Sequence, residues 1–200
     1  MGHQIAILIL AAGASSRMGG RDKLCEDING TPLLRHITTQ AKATGAPVFV
    51  TLPALDHPRS QLLAHGTTPI AVPDAANGMS ASLRAGVAAL PAAIRAVMIT
   101  PADLPELETA DFETLLDAAK TQPGALLQAQ DDAGTGGHPV IFPRAVFGAL
   151  QTVTKDRGAR DILRANRDHV VPVPLPGTRA TRDLDTPEDW ATWRAARSPG

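Results

Sequence analysis

Six consecutive apolar residues, Ile5-Ala-Ile-Leu-Ile-Leu10, run into a stretch of small residues closed by Gly13, and this junction constrains the fold more than any other feature. A short apolar run without polar alternation reads as a strand buried on both faces, as in a parallel sheet covered by helices. The same rhythm continues downstream. A helical pattern over 32–44 carries Leu33, Leu34, Ile37 and Ala41 at helical spacing, with Gly45 as its stop. Strand 48–52, a short helix 58–65, strand 69–72, helix 80–90, strand 96–100, helix 109–121 and strand 125–130 follow. This alternation with short connections predicts a doubly wound, mostly parallel α/β sheet in a three-layer sandwich.

Beyond residue 130 the rhythm changes. A loop over 131–137 precedes strand 138–142, helices 144–153 and 159–166, and strand 169–174. The last helix opens at Thr186-Pro-Glu-Asp-Trp190, where Thr186 reads as the N-cap, Pro187 as the first helical residue and Asp189 as the acid of a capping box. No repeat, low-complexity segment or linker interrupts the chain. It reads as one domain over 1–200, with 131–183 as an elaboration on its edge.

Composition excludes several classes. Nineteen basic against twenty acidic side chains leave a formal charge of −1, which argues against a polybasic nucleic-acid binder but not against a local basic pocket. A single cysteine, Cys25, forbids an intramolecular disulfide and a Cys-rich zinc site, and suits a reducing cytoplasm. With no 18-residue apolar run, no transmembrane helix is expected, and the first residues lack the features of a secretory signal. His3, His36, His57, His65 and His169 show no paired metal spacing. Cys25 lacks an evident activating partner and reads as inert packing. Trp190 and Trp193 read as packing the last helix on the sheet.

The most informative stretch is Leu10-Ala-Ala-Gly-Ala-Ser-Ser-Arg-Met-Gly-Gly-Arg-Asp-Lys23. Loops at the carboxyl ends of parallel strands are where α/β sheets bind ligands. Small residues let backbone N–H groups approach phosphate oxygens, and Arg17 and Lys23 add two cationic charges that could bracket a triphosphate. Neither of the two common phosphate-loop patterns fits. By itself such a loop is equally a solvated turn.

Its wording resembles the N-terminal signature of sugar-phosphate and cofactor nucleotidyltransferases, L-A-[AG]-G-x-[SG]-x-R-[MF]-G-x(2,3)-K, and within these the MobA-like group that acts on molybdopterin. Gly30-Thr-Pro-Leu-Leu34 is similar to the group's G-x-P-L-L, Asn77-Gly-Met-Ser-Ala-Ser-Leu83 to G-M-x-x-S-L, and Pro101-Ala-Asp-Leu-Pro105 to a P-x-D-x-P metal motif. Gly137-His-Pro139, Lys155-Asp-Arg-Gly-Ala-Arg160 and Asp183-Leu-Asp-Thr-Pro-Glu-Asp189 resemble G-H-P, G-D-x-G-A-R and D-[IL]-D-T-P-E-D. Lys155 departs from the pattern, standing where a Gly is usual.

The resemblance implies a Rossmann-like, nucleotide-diphospho-sugar transferase-type fold. It further implies a Mg²⁺-dependent transfer of CMP or GMP from a nucleoside triphosphate to the phosphate of a molybdopterin acceptor. By position, Leu10, Ala11, Ala12, Gly13, Arg17, Lys23, Gly78, Ser80 and Ser82 are the expected nucleotide-binding residues, with Arg17, Lys23 and Asp103 catalytic. Asp103, with Asp185 or Asp183, is expected to hold the metal, which prefers carboxylate and phosphate oxygens. His138, Arg157 and Arg160 are expected on the acceptor side, in the 131–183 elaboration. Each has a plainer reading beside it. Asp103 can be a turn carboxylate, Asp183 and Asp185 helix-terminal acids, and the two serines helix caps. His138 can be a half-buried strand residue, and the two arginines part of a solvated helix face.

The Ala11-Ala12-Gly13 triplet resembles the A-A-G form of cytidylyl transfer, where the guanylyl branch more often has A-G-G, so CTP is expected over GTP. A molybdoenzyme or its chaperone is a further candidate partner. Sugar 1-phosphate, phospholactate or methylerythritol phosphate as acceptor, or a non-catalytic cofactor carrier, remain the alternatives.

Overall fold

Apolarity decides position in the sheet. In the computed structural model, which describes residues 4–154 and 159–197, the apolar run forms β1 (Ile5–Leu10), buried at all but its first residue. It pairs in parallel with β4 (Val48–Leu52) on one side and β6 (Ala96–Pro101) on the other. Between β1 and β4 the chain forms a small hairpin, β2 (Asp27–Ile28) with β3 (Thr31–Pro32), and α1 (Leu33–Ala43). Four further strands complete the main sheet: β5 (Thr68–Ala71), β7 (Leu126–Gln130), β8 (Gly136–Pro143) and β9 (Val170–Pro174). The order is β5-β4-β1-β6-β8-β7-β9, and only β8 runs antiparallel to its neighbours.

Successive side chains of a strand point to opposite faces, so the alternation within β1 divides the core in two. Ile7 and Ile9 join Leu33, Leu34 and Ile37 of α1, Phe112 and Leu115 of α3 (Thr109–Thr121), and Trp190 and Trp193 of α6 (Pro187–Arg197). Ala6 and Leu8 face the other side, with Leu83 and Val87 of α2 (Met79–Ala88), Phe147 and Leu150 of α4 (Phe147–Gln151), and Ile162 of α5 (Arg160–Ala165). Helices therefore cover both faces, as the sandwich requires. The two tryptophans meet edge to face at 5.8 Å, and the cap of α6 forms as read. The Thr186 Oγ1 accepts from the Asp189 amide at 3.2 Å, and the Asp189 carboxylate accepts from the Thr186 amide at 2.8 Å.

The structure departs from the sequence reading in four places. The segment read as helix 58–65 is a 3₁₀ turn over Pro58–Leu62, and only Phe147–Gln151 of 144–153 is α-helical, after a 3₁₀ turn. Strand β8 belongs to the stretch read as an edge elaboration but lies inside the sheet. A strand apolar on both faces carries no periodicity that reveals its direction or neighbours. The hairpin over 27–32 was not expected, although Asn29-Gly30, both at positive φ (53° and 86°), is the pair a two-residue turn favours.

Candidate active site

Because β4, β1 and β6 run parallel, the loops leaving their carboxyl ends converge on one edge of the sheet. There they form a groove of three confluent clefts. The middle one, about 290 Å³, lies between Leu10, Gly13, Lys23, Gly78, Ser82 and Asp103. It meets a cleft of about 590 Å³ across Ala12, Gly13 and Ala14, walled by Asp22, His57 and Arg59. On its other side it meets a cleft of about 450 Å³, lined by Gly137, His138, Arg160, Thr181 and Asp183. Asp103 and Met79 stand at that second boundary.

Two glycines make this geometry possible. Gly78, at φ 84° and ψ −170°, occupies a region essentially closed to other residues and turns the chain into α2. A Cβ on Gly137 would lie 1.9 Å from the Ala180 carbonyl oxygen. Only glycine there lets the His138 amide donate to that carbonyl at 2.8 Å.

The charged centre is built from distant segments. Asp103 follows β6 by two residues, and the neighbouring Ala102 amide is tied to the Leu10 carbonyl at 3.1 Å. The Leu184 amide donates to the Asp103 carbonyl at 3.3 Å, which draws 183–185 alongside. The Lys23 ammonium then bridges Asp103 at 2.5 Å and Asp185 at 2.7 Å, and Arg17 meets the second oxygen of Asp185 at 2.7 Å. Burial works against the Lys23 charge, but the two carboxylates outweigh it and raise its pKa. Partial burial and the charges of Asp185 and Asp103 hold the Asp183 carboxyl above the ordinary range.

One oxygen of Asp103, Oδ1, is buried with no hydrogen-bond partner among the described residues. Two carboxylates converging on one cation, with a spare buried oxygen, fit a hard divalent ion that takes its other ligands from phosphate and water. Among the described residues no group of three His, Cys, Asp or Glu side chains is placed to hold a metal by itself.

The family model of the MobA-like NTP transferase domain matches residues 7–170. The chain belongs to the MobA-like NTP transferase family. A probable molybdenum cofactor guanylyltransferase of Rhodopirellula baltica is 28% identical over 189 residues, covering 91% of this chain and 88% of that protein. The molybdenum cofactor guanylyltransferase of Serratia proteamaculans is 28% identical over 205 residues, covering 97% and 96%. The crystal structure of Rv0371c from Mycobacterium tuberculosis H37Rv superposes with a TM-score of 0.83 at 25% identity, covering 96% and 98% of the two chains. The fold is that of the nucleotide-diphospho-sugar transferases.

In this MobA-like transferase, Leu10, Ala11, Ala12, Gly13, Lys23, Gly78, Ser82 and Asp103 all line the middle cleft. His138, Arg160 and Asp183 line the outer one, and Asp185 reaches the centre through Lys23. Arg17 lines none of the three clefts; it is largely exposed and reaches the centre through Asp185. Ser80, in the first turn of α2, is 1% exposed and does not line the cleft, whereas Ser82 does. Arg157 lies outside the described residues.

Burial lowers the His138 pKa, so the imidazole is neutral at pH 7, and its Nδ1 has no partner among the described residues. Burial and the Asp22 charge push the Cys25 thiol up, away from a reactive thiolate. The sequence reading missed Met79, Asp22 and Arg59. Met79 carried a signal, since it stands in the Asn77–Leu83 segment that resembles G-M-x-x-S-L. Arg59 carried none, because its partners are distant in sequence. No described helix is long and apolar enough to cross a membrane.

Proposed function

We propose that the chain transfers a nucleoside monophosphate from a nucleoside triphosphate to the phosphate of molybdopterin and releases pyrophosphate. The observation that carries this reading is Asp103 at the junction of two clefts, bridged by Lys23 to Asp185. One cleft is lined by the loop after β1 and the other holds His138 and Arg160. An acceptor phosphate oxygen lying in the outer cleft attacks the α-phosphorus in line. The new oxygen–phosphorus bond forms as the bond to the β-phosphate oxygen breaks, and pyrophosphate leaves.

The nucleophile is an ionised phosphate, so no general base is needed. Catalysis rests on positioning and charge neutralisation. Lys23 and Arg17 meet charge on the transferring and leaving phosphates, and Arg160 orients the anionic acceptor. Magnesium, held by Asp103 and Asp185, would supply further neutralisation of the phosphate oxygens when bound.

For the base we favour cytosine, on Ala12. A Cβ at this position restricts φ and fills space that glycine leaves open. The Ala12 methyl packs with Val72 and Ala81 beneath the loop, so it acts by shaping the cleft wall. The second reading, GMP transfer, is favoured by the names of the curated relatives, among them the two described above. A single-turnover assay with labelled CTP and GTP against a panel of phosphorylated acceptors tests both. Transfer to a sugar phosphate but not to the pterin would overturn the acceptor assignment.

A further inference from the structure

We infer that Arg59 is a positioning residue that pre-sets the loop over 11–23 for triphosphate binding. The inference rests on the nucleotidyl-transfer reading and deepens it. Arg59 lies in the 3₁₀ turn after β4, its amide held by the His57 Nδ1 at 3.2 Å, and its side chain is only 4% exposed. A guanidinium offers five N–H donors in a rigid fork, and here five contacts go to one loop. Nη1 donates to the carbonyls of Ala11 at 2.6 Å and Gly13 at 2.8 Å. Nε and Nη2 grip the two oxygens of Asp22 at 2.6 and 2.7 Å, and Nη2 also reaches the Ser15 hydroxyl at 3.3 Å. One buried cation thus ties the start, middle and end of the loop together.

The consequence for phosphate binding follows from peptide geometry. In a trans peptide the carbonyl and the next residue's N–H point in opposite directions. With the Ala11 and Gly13 carbonyls held on Arg59, the amides of Ala12 and Ala14 turn away from it. Those two amides have no protein acceptor among the described residues, and both residues line the middle cleft. Arg59 therefore aims backbone donors at anionic oxygens while its own donors are spent on the loop. Ser15 sits at φ 52°, an uncommon conformation for a side-chain-bearing residue, and its hydroxyl links Asp22, Arg59 and the Lys23 amide. Lys23 is thereby placed by the same network. Arg59 hydrogen bonds and charge outweigh burial and hold the Asp22 carboxyl below its usual range, in keeping with a permanently ionised partner.

The test is Arg59→Met, Arg59→Lys and Asp22→Asn in the full chain, with calorimetric Kd values for CTP and GTP measured with magnesium, and KM values for nucleotide and acceptor. A misplaced loop should lower kcat/KM for the nucleotide on the order of 100-fold. Nucleotide Kd should rise in all three variants while the acceptor KM stays near wild type. Lysine cannot reproduce the fork, so Arg59→Lys should recover little, whereas millimolar methylguanidinium should partly restore nucleotide binding to Arg59→Met. If Arg59→Met does not fold, Asp22→Asn, which keeps the side-chain size, is read in the same way.

Folded variants with wild-type nucleotide Kd overturn the inference alone, and so does an equal loss for both substrates, which would mark a general structural role. A wild-type chain that binds triphosphate but transfers nothing overturns the transfer reading and leaves the loop assignment standing. A wild-type chain that binds no triphosphate overturns both.

Discussion

Removing the ammonium of Lys23 is the sharpest probe of the charged centre. Its bonds to Asp103 and Asp185 lie between side chains only 15–17% exposed. A hydrogen bond between charged groups contributes roughly 1.5–3 kcal/mol, and breaking a buried pair costs about 3–5 kcal/mol because the remaining charge is left uncompensated. Arg17 still pairs with Asp185 and water reaches the rim, so the lower part of the range applies. Lys23→Met should therefore destabilise the fold by about 3 kcal/mol, or roughly 6–12 °C in Tm for a chain of this size. Thermal unfolding followed by the fluorescence of the buried Trp190 and Trp193 would read this directly.

The deficit has a definite pH dependence. In the wild type, Lys23 has a raised folded pKa, so its contribution is complete below its ordinary value of 10.5 and is lost as pH rises through the folded value. The Tm gap between variant and wild type should accordingly be wide at pH 7 and narrow only as pH rises through the folded Lys23 value. A Tm within a degree of wild type at pH 7 would refute the reasoning. If the ammonium also meets developing charge, kcat and kcat/KM fall together, whereas a change confined to nucleotide KM would show only uniform binding.

Other substitutions probe separate parts of the site. Asp103→Asn should fold and lose most magnesium-dependent turnover; wild-type turnover at saturating magnesium would remove Asp103 from the reaction. Asp183 has its folded pKa raised by partial burial and by Asp185 and Asp103, so its ionised form opposes folding. Asp183→Asn should raise Tm at pH 7, with the gain fading as pH falls toward about 4 and the wild-type carboxyl is protonated; a gain independent of pH would contradict the shift. Direct competition between CTP and GTP should favour CTP, and Ala12→Gly should move the ratio toward GTP. A polar mismatch left unpaired costs about 1–3 kcal/mol, a preference of roughly 5- to 150-fold, and equal incorporation by the wild type would sink the cytidylyl reading.

What could be read from the chain alone was set by the range over which each signal acts. Helix α3 and the Thr186–Asp189 cap lie where the sequence places them, because periodicity and capping involve residues at most a few positions apart. Asp103 and Asp185 were legible through wording, not geometry; nothing local says that a lysine 80 residues before Asp103 would bridge the two. That Ser80 is buried while Ser82 lines the cleft was not legible, because a serine at a helix start reads alike whether it faces a cleft or the core. The direction of β8 was hidden by burial on both faces, which erases the polar alternation that would separate an antiparallel strand from a parallel one.

Arg59 marks the limit most clearly, since it stands 37 residues from Asp22 in a segment whose local pattern suggested only a short helix. A buried guanidinium is legible only when its carboxylate and carbonyl partners are seen around it. The cleft-facing surface of this loop is therefore specified from behind, by a residue that the loop's own sequence does not contain.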